Sequence, residues 1–420
     1  MNDTTKEHRR EDLRLLVKAH RDNDQQGVEA AMTRLVPDPD DVTAWRSVAV
    51  TLMNYTLLVP AIETQLNCVN AGVRLSKRLA DDENLLVAMI LMRGDARGAA
   101  NIARRVTQHW PDYVPGWENL AYALTQIGET AEAAEAYRSV LVAKPEHLNA
   151  MDGLGRCLGS LGGHDEAVAL GRRSLEIKDE ATRDLPVLWD IPETTNPSDN
   201  APSPATHIIA YSLWGADARY IDTLRRNVRL ARDLYPGWSC RIYHVDTVPA
   251  DALSALKSGG AELIAVNDRH VGKEGLLWRF LVAGDPKVER YLVRDADSLL
   301  TVRERVAVDD WLASGKPFHL MRDWYSHTDL MLAGLWGGTG GLLPDMGTRI
   351  NDFLARHSII DRKLDQIFLA EIVWPSIRQA CLTHDAYFGC FEAQPFPPFG
   401  ALPPGHHVGQ NASVHRRKEP

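Results

Sequence analysis

The chain has 420 residues, 45% of them hydrophobic and 25% charged. At roughly 150 residues per domain this is two or three domains with ample core-forming sequence, which excludes a largely disordered chain. Acidic side chains outnumber basic ones 56 to 47, and the formal charge of -9 argues against a general nucleic-acid binder. The five cysteines are scattered and form no CxxC pair, so neither a disulfide scaffold nor a cysteine-built zinc site is expected. The N-terminal stretch is too polar for a signal peptide. The longest apolar run, Leu85 to Met92, falls well short of the roughly 20 residues of a membrane span. A cytoplasmic protein with no membrane span and no nucleic-acid partner is the expectation.

In chain order, residues 8–78 read as degenerate helical hairpins, with a helix-start signal at Asp38-Pro39-Asp40-Asp41 and Trp45 in the helix that follows. The next hundred residues are more regular. Trp117, Leu120, Ala121 and Leu124 are followed by Ala133, Tyr137 and Pro145. The same register recurs upstream at Leu86, Val87, Ile90, Ala99, Ala103 and Pro111, and downstream at Leu154, Gly155, Leu158, Ala167 and Gly171. Ala99, Ala133 and Ala167 stand 34 residues apart. This pattern resembles the tetratricopeptide repeat, firmly over about residues 80–180 and weakly before them. The resemblance implies pairs of amphipathic helices stacked into a solenoid over residues 1–185, with Gly128, Gly162 and Gly163 in the turns. Such a solenoid binds a protein partner, associates with itself, or serves only as a packing scaffold.

Residues 186–205 are rich in Pro, Asn, Ser and Thr and read as a linker or strap. Beyond them the hydrophobic period changes. Strand-like runs at His207–Leu213, Cys240–Val245, Glu262–Val266 and Arg290–Arg294 alternate with helical stretches at Ala218–Leu234, after Pro249, and at Leu276–Val282. That alternation predicts a parallel, Rossmann-like α/β domain over residues 206–420, with ligands at the carboxyl ends of its strands. No GxGxxG follows the first strand and no GxxxxGK[ST] occurs, which disfavours a dinucleotide oxidoreductase and a P-loop enzyme. Gly337–Gly341 is read as a flexible or close-approach loop.

The most informative stretch is Tyr291-Leu-Val-Arg-Asp295-Ala296-Asp297-Ser298, where an apolar strand delivers two carboxylates spaced i, i+2. Pleated geometry would point both to one face. Hard divalent cations take such oxygen ligands and also chelate diphosphates, although the spacing alone also describes a solvated turn. With the upstream helix Leu277-Trp278-Arg279-Phe280-Leu281 and the downstream Leu364-Asp365-Gln366, the region resembles the GT-A glycosyltransferases. The resemblance departs from better-known members at Val293-Arg294, which stands in place of a Gly-Gly-x-Tyr lead-in.

That resemblance implies a Mn2+- or Mg2+-dependent transfer of sugar from a nucleotide-sugar to an acceptor hydroxyl. The setting would be bacterial polysaccharide or glycoconjugate synthesis, with a glycan, lipid-linked or protein acceptor. Metal ligands would be Asp297, Asp295 and His384, with Asp295 also able to meet the ribose. Tyr211, Ser212 and Trp214 would meet the nucleotide, while Arg219 and Arg279 would reach phosphate. Asp365 and Asp323 are the candidates for a catalytic base, and inversion and retention stay open. Trp324, Tyr325 and Trp336 either line the acceptor site or belong to the core. The proline-rich tail is expected to strap the catalytic face, with His407 as a further contact. An adaptor whose α/β domain is catalytically silent is the alternative, and a phosphohydrolase a more distant one.

Overall fold

The structure is a computed structural model that describes residues 3–195, 206–266, 274–357 and 363–412. It divides into two compact units, Met1–Ala167 and Val168–Pro420. Among the described residues, no helix is long and apolar enough to cross a membrane.

The first unit is built of helical hairpins. Its helices are α1 (Asp3–Arg21), α2 (Gln25–Leu35), α3 (Val42–Asn54), α4 (Leu58–Arg74), α5 (Ala80–Met92), α6 (Ala96–His109), α7 (Val114–Ile127), α8 (Thr130–Ala143) and α9 (Leu148–Leu161), and α10 (His164–Glu180) begins within it. The repeat spacing has a direct steric meaning, since Ala99, Ala133 and Ala167 are all fully buried. Helix α7 ends on Gly128 and α9 on Gly162, both in the left-handed conformation that glycine adopts without steric cost. Asp41 caps α3 by accepting the Ala44 N–H, as the Asp38–Asp41 signal predicts. Trp45 Nε1 donates to the Pro39 carbonyl and Trp117 Nε1 to the Pro111 carbonyl, so the degenerate first hairpins reuse the contact of the regular ones. Tyr137 packs against Gly153 so closely that an added Cβ there would lie 2.3 Å from its ring.

The second unit is α/β. Its strands are β1 (His207–Leu213), β2 (Trp238–His244), β3 (Glu262–Ala265), β4 (Arg290–Val293), β5 (Phe318–Arg322), β6 (Trp336–Thr339) and β7 (Cys381–Asp385). They form one seven-stranded sheet in the order β3-β2-β1-β4-β6-β5-β7. The sheet is mixed, which corrects the expectation of a purely parallel one: β6 runs antiparallel to both β4 and β5. Helices α11 (Ala218–Leu234), α12 (Ala250–Ser258), α13 (Gly275–Trp278), α14 (Val302–Ser314), α15 (Met346–Arg356), α16 (Leu364–Phe368) and α17 (Trp374–Ile377) complete the unit. Side chains alternate along β1, so Ile208 and Ala210 join one core and Ile209, Tyr211 and Leu213 the other.

Two sequence features resolve to one of the alternatives expected for each, the glycine run by close approach and the linker as a strap. Gly337–Gly341 is no flexible loop, because Gly337 and Gly338 lie inside β6. An added Cβ at Gly337 would lie 2.5 Å from the Tyr291 carbonyl oxygen, and one at Gly340 only 1.9 Å from that of Val288. The described part of the expected linker is a strap: Trp189 is buried and its Nε1 donates to the Pro344 carbonyl, while Thr195 N–H donates to that of Gly315. Residues 196–205 and the basic end His415–Lys418 lie outside the described residues.

Close backbone approach makes Gly340 a steep test of this packing. Gly340→Ala is expected to cost 2 kcal/mol or more, on the order of an overpacked core site. Gly347→Ala, whose Cβ meets only ordinary contact with Leu281 inside α15, should be neutral or slightly stabilising. Urea unfolding of the two variants checks the contrast.

Candidate functional site

Strand β1 lies between β2 and β4, and both pairings are parallel. The chain winds outward from β1 through β2 to β3 and then returns to β4 on the other side. The carboxyl ends of β1 and β4 therefore flank a crevice where sheets of this kind take ligands. A cavity of about 300 Å3 opens there, lined by Ser212, Leu213, Trp214, Tyr220, Leu276, Arg279, Asp295, Ala296 and Asp297. Strand β4 stops at Val293, so a turn past the strand end presents the two carboxylates. Their convergence comes from that turn rather than from the pleat.

One buried guanidinium organises the acids. Arg279 Nη1 donates to Asp295 Oδ1 at 2.5 Å and Nη2 to Asp365 Oδ2 at 2.9 Å. Its backbone N–H donates to Ser212 Oγ at 3.0 Å, tying α13 to the end of β1. Arg279 Nε is buried and has no hydrogen-bond partner among the described residues. Asp297 Oδ2 accepts from Asn411 Nδ2 at 2.6 Å. Burial, then the neighbouring Asp295 charge, holds the Asp297 carboxyl above its ordinary range. Burial pushes the Asp365 carboxyl up to about 6, against the pull of Arg279. Three carboxylates thus stand near the buried Arg279 guanidinium and the exposed Arg219, a formal excess of one negative charge when all are ionised.

Small residues make the close packing possible. An added Cβ at Gly275 would lie 2.7 Å from the Trp214 ring, and one at Gly334 would lie 2.1 Å from Asp295 Oδ2. Trp214 meets Trp278 edge to face, with ring centroids 6.1 Å apart. Arg219 is exposed, with its guanidinium carbon 4.4 Å from the Tyr220 ring centroid. Its positive charge is felt at Asp297.

Several expected site residues lie elsewhere. Tyr211 is fully buried in the core against α11 and α14, because strand parity turns it away from the face that carries Ser212. His384 is no metal ligand beside Asp297. It stands on β7, three strands from β4 and so about 14 Å across the sheet at ordinary strand spacing. Both of its ring nitrogens are engaged: Nδ1 with His319 Nε2 at 2.8 Å, and Nε2 with Asp310 Oδ2 at 3.0 Å. Asp323 does not line the cavity either. Arg303 grips both of its oxygens, and Oδ2 also accepts the Val408 N–H. Trp336 is a core residue at 0% exposure, and Tyr325 is buried. Trp324 stacks on His407, whose Nδ1 is engaged with the Val408 carbonyl.

Three residues escaped the sequence reading. Tyr220 sits one position past Arg219 and carried no motif. Gly334 lies in a loop without signature, and Asn411 is 114 residues downstream of its partner Asp297. The expectation of a tail crossing this face was the one available signal for Asn411.

Among the described residues, no group of three or more His, Cys, Asp or Glu side chains forms a metal cage. Two carboxylates with surplus negative charge fit a cation that shares its coordination with water and ligand phosphates, as Mg2+ sites do. With His384 elsewhere, the protein's donors here are oxygens, which suit Mg2+ or Mn2+ equally.

Comparison with solved structures matches part of the chain, at low identity. Its helical repeats are tetratricopeptide-like. One crystal structure of MamA is 23% identical, spans 39% of this chain and 94% of its own, and has a TM-score of 0.33. A second is 22% identical over 43% and 97%, at 0.35. YrrB, described as a tetratricopeptide protein with an unusual peptide-binding site, is 14% identical over 40% and 84%, at 0.32. No protein-family model and no curated protein matches the chain.

The raised carboxyl of Asp365 makes a signed prediction. Between its ordinary 3.8 and about 6, the folded protein holds a proton that the unfolded chain has released, so this group's contribution to stability falls as pH rises through that window. Asp365→Asn removes the effect. On moving from pH 7 to pH 4.5, wild type should therefore gain about 2 kcal/mol relative to the variant in urea unfolding. A pH-independent difference would contradict the assignment.

Proposed function

We propose that the α/β unit is a divalent-cation-dependent glycosyltransferase domain acting on a nucleotide-sugar, with the repeat unit recruiting a partner or the acceptor. The observation behind this reading is the cavity at the ends of β1 and β4, which gathers Asp295 and Asp297 with Trp214 and Tyr220. Strand order supports it, since 3-2-1-4 is the arrangement in which doubly wound sheets bind nucleotides.

In this reading Asp297 and Asp295 hold the cation. A bound cation would offset the charge of the departing diphosphate. Trp214, Tyr220 and Leu276 offer the apolar wall on which a nucleobase stacks. Arg279 orients Asp295 and keeps Asp365 beside it. Of the two acids proposed as base, Asp365 is the one that Arg279 links to Asp295; it stands behind the cavity lining, with Oδ2 held by Arg279 and Oδ1 by the Gln366 N–H, whereas Asp323 is held by Arg303 and the Val408 N–H. With its carboxyl near 6, Asp365 is largely ionised at neutral pH and competent to accept a proton from an acceptor hydroxyl.

A second reading has its own support. Asp295 is paired with Arg279 and Asp297 with Asn411, so both carboxylates already have protein partners, as a silent domain would allow. The chain would then be an adaptor, with the helical hairpins binding a peptide, a protein or a second copy.

Turnover separates the two. Purified protein with Mn2+ and a panel of UDP-, GDP- and dTDP-sugars is expected to release nucleoside diphosphate from at least one donor. Asp297→Asn should lower that rate at least 100-fold while keeping the fold. A wild-type protein that neither turns over nor binds any donor sinks the enzymatic reading and leaves the adaptor.

A further inference from the structure

The carboxy-terminal strap reaches the acidic pair by a defined path. Val408 is fully buried against Ala307, Met321, Leu335 and Phe396, and its N–H donates to Asp323 Oδ2 at 2.9 Å. Gly409 then turns the chain with φ at +80°, where an added Cβ would lie 3.1 Å from the Leu335 side chain. Its carbonyl accepts from Ser298 Oγ at 2.8 Å. Ser298 and Asn411 form an antiparallel bridge, and the Ala412 N–H donates to the Asp297 carbonyl at 2.8 Å. The path ends with the Asn411 amide on Asp297 Oδ2 at 2.6 Å.

An apolar anchor at Val408 and a glycine turn thus deliver an uncharged donor to a carboxylate of the cavity lining. The amide offers the positive end of a dipole where a cation would offer full charge, so it satisfies the oxygen without neutralising it. Arg279 Nε remains buried and without a hydrogen-bond partner in the same wall.

We propose that Asn411 is an internal competitor for Asp297, so that a divalent cation binds only as the strap tip releases that oxygen. This regulation rests on the cation-binding reading of Asp295 and Asp297. By linkage, weakening the strap must strengthen the cation, and binding the cation must loosen the strap.

The test uses Mn2+ alone, titrated calorimetrically into the full chain, with hydrogen exchange at the Ala412 amide as a second readout. Asn411→Ala is expected to bind Mn2+ about tenfold more tightly than wild type, the scale of one lost hydrogen bond to a charged group. Exchange at Ala412 in wild type should accelerate at saturating Mn2+. Equal or weaker Mn2+ binding by Asn411→Ala overturns the competition while leaving the cation site intact, as does exchange at Ala412 that Mn2+ leaves unchanged. If neither wild type nor Asn411→Ala binds Mn2+, the cation reading itself fails and the competition falls with it.

Discussion

Arg279 is the interaction on which the site depends. One guanidinium, 4% exposed, spans from Asp295 at the end of β4 to Asp365 on α16, and its backbone N–H reaches Ser212 at the end of β1. Removing either acid would leave a buried charge short of a partner, which costs far more than an exposed pair contributes. The same residue sets the electrostatics. It pulls the carboxyl of Asp365 down against desolvation, and it joins the larger pull of Arg219 on Asp297 against desolvation and Asp295, yet neither carboxyl is brought down to its ordinary range. The crevice is left acidic in excess of what the protein neutralises.

Packing around this point explains much of the unusual composition. Seven of the eleven tryptophans lie beyond residue 205. Trp238, Trp278, Trp311, Trp336 and Trp374 are buried, so the excess is mainly core, and only Trp214 and Trp324 remain partly accessible. Glycine has the complementary role. Gly275 and Gly334 admit Trp214 and Asp295, and the run at Gly337–Gly341 lets β6 lie against the β4 backbone.

The sequence made the fold legible wherever a period is repeated or a strand is apolar. The 34-residue alanine spacing marked buried helix crossings, and His207–Leu213 and Ala218–Leu234 coincide with β1 and α11. Strand β6 stayed hidden because glycine carries no strand signal, and only its neighbours reveal why side chains are excluded there. At the site, Asp295, Asp297, Ser212, Trp214 and Arg279 were legible as one strand-end constellation. Tyr211 failed on parity, since neighbouring strand residues face opposite cores. His384 and Asp323 failed because residue type cannot disclose a partner: His319 with Asp310 takes one, and Arg303 the other. Asn411 was unreachable by local pattern, as its contact joins positions far apart in the chain.

On the proposed function, the crevice between β1 and β4 takes a diphosphate together with a cation. Calorimetric titration of UDP, GDP and dTDP into the protein, once with saturating Mg2+ and once with chelator, tests it most directly. At least one nucleotide is expected to bind at least tenfold more tightly with the cation, and Asp297→Asn to abolish this difference. Nucleotide affinity that is the same with and without cation, or a cation effect that survives in Asp297→Asn, would contradict it.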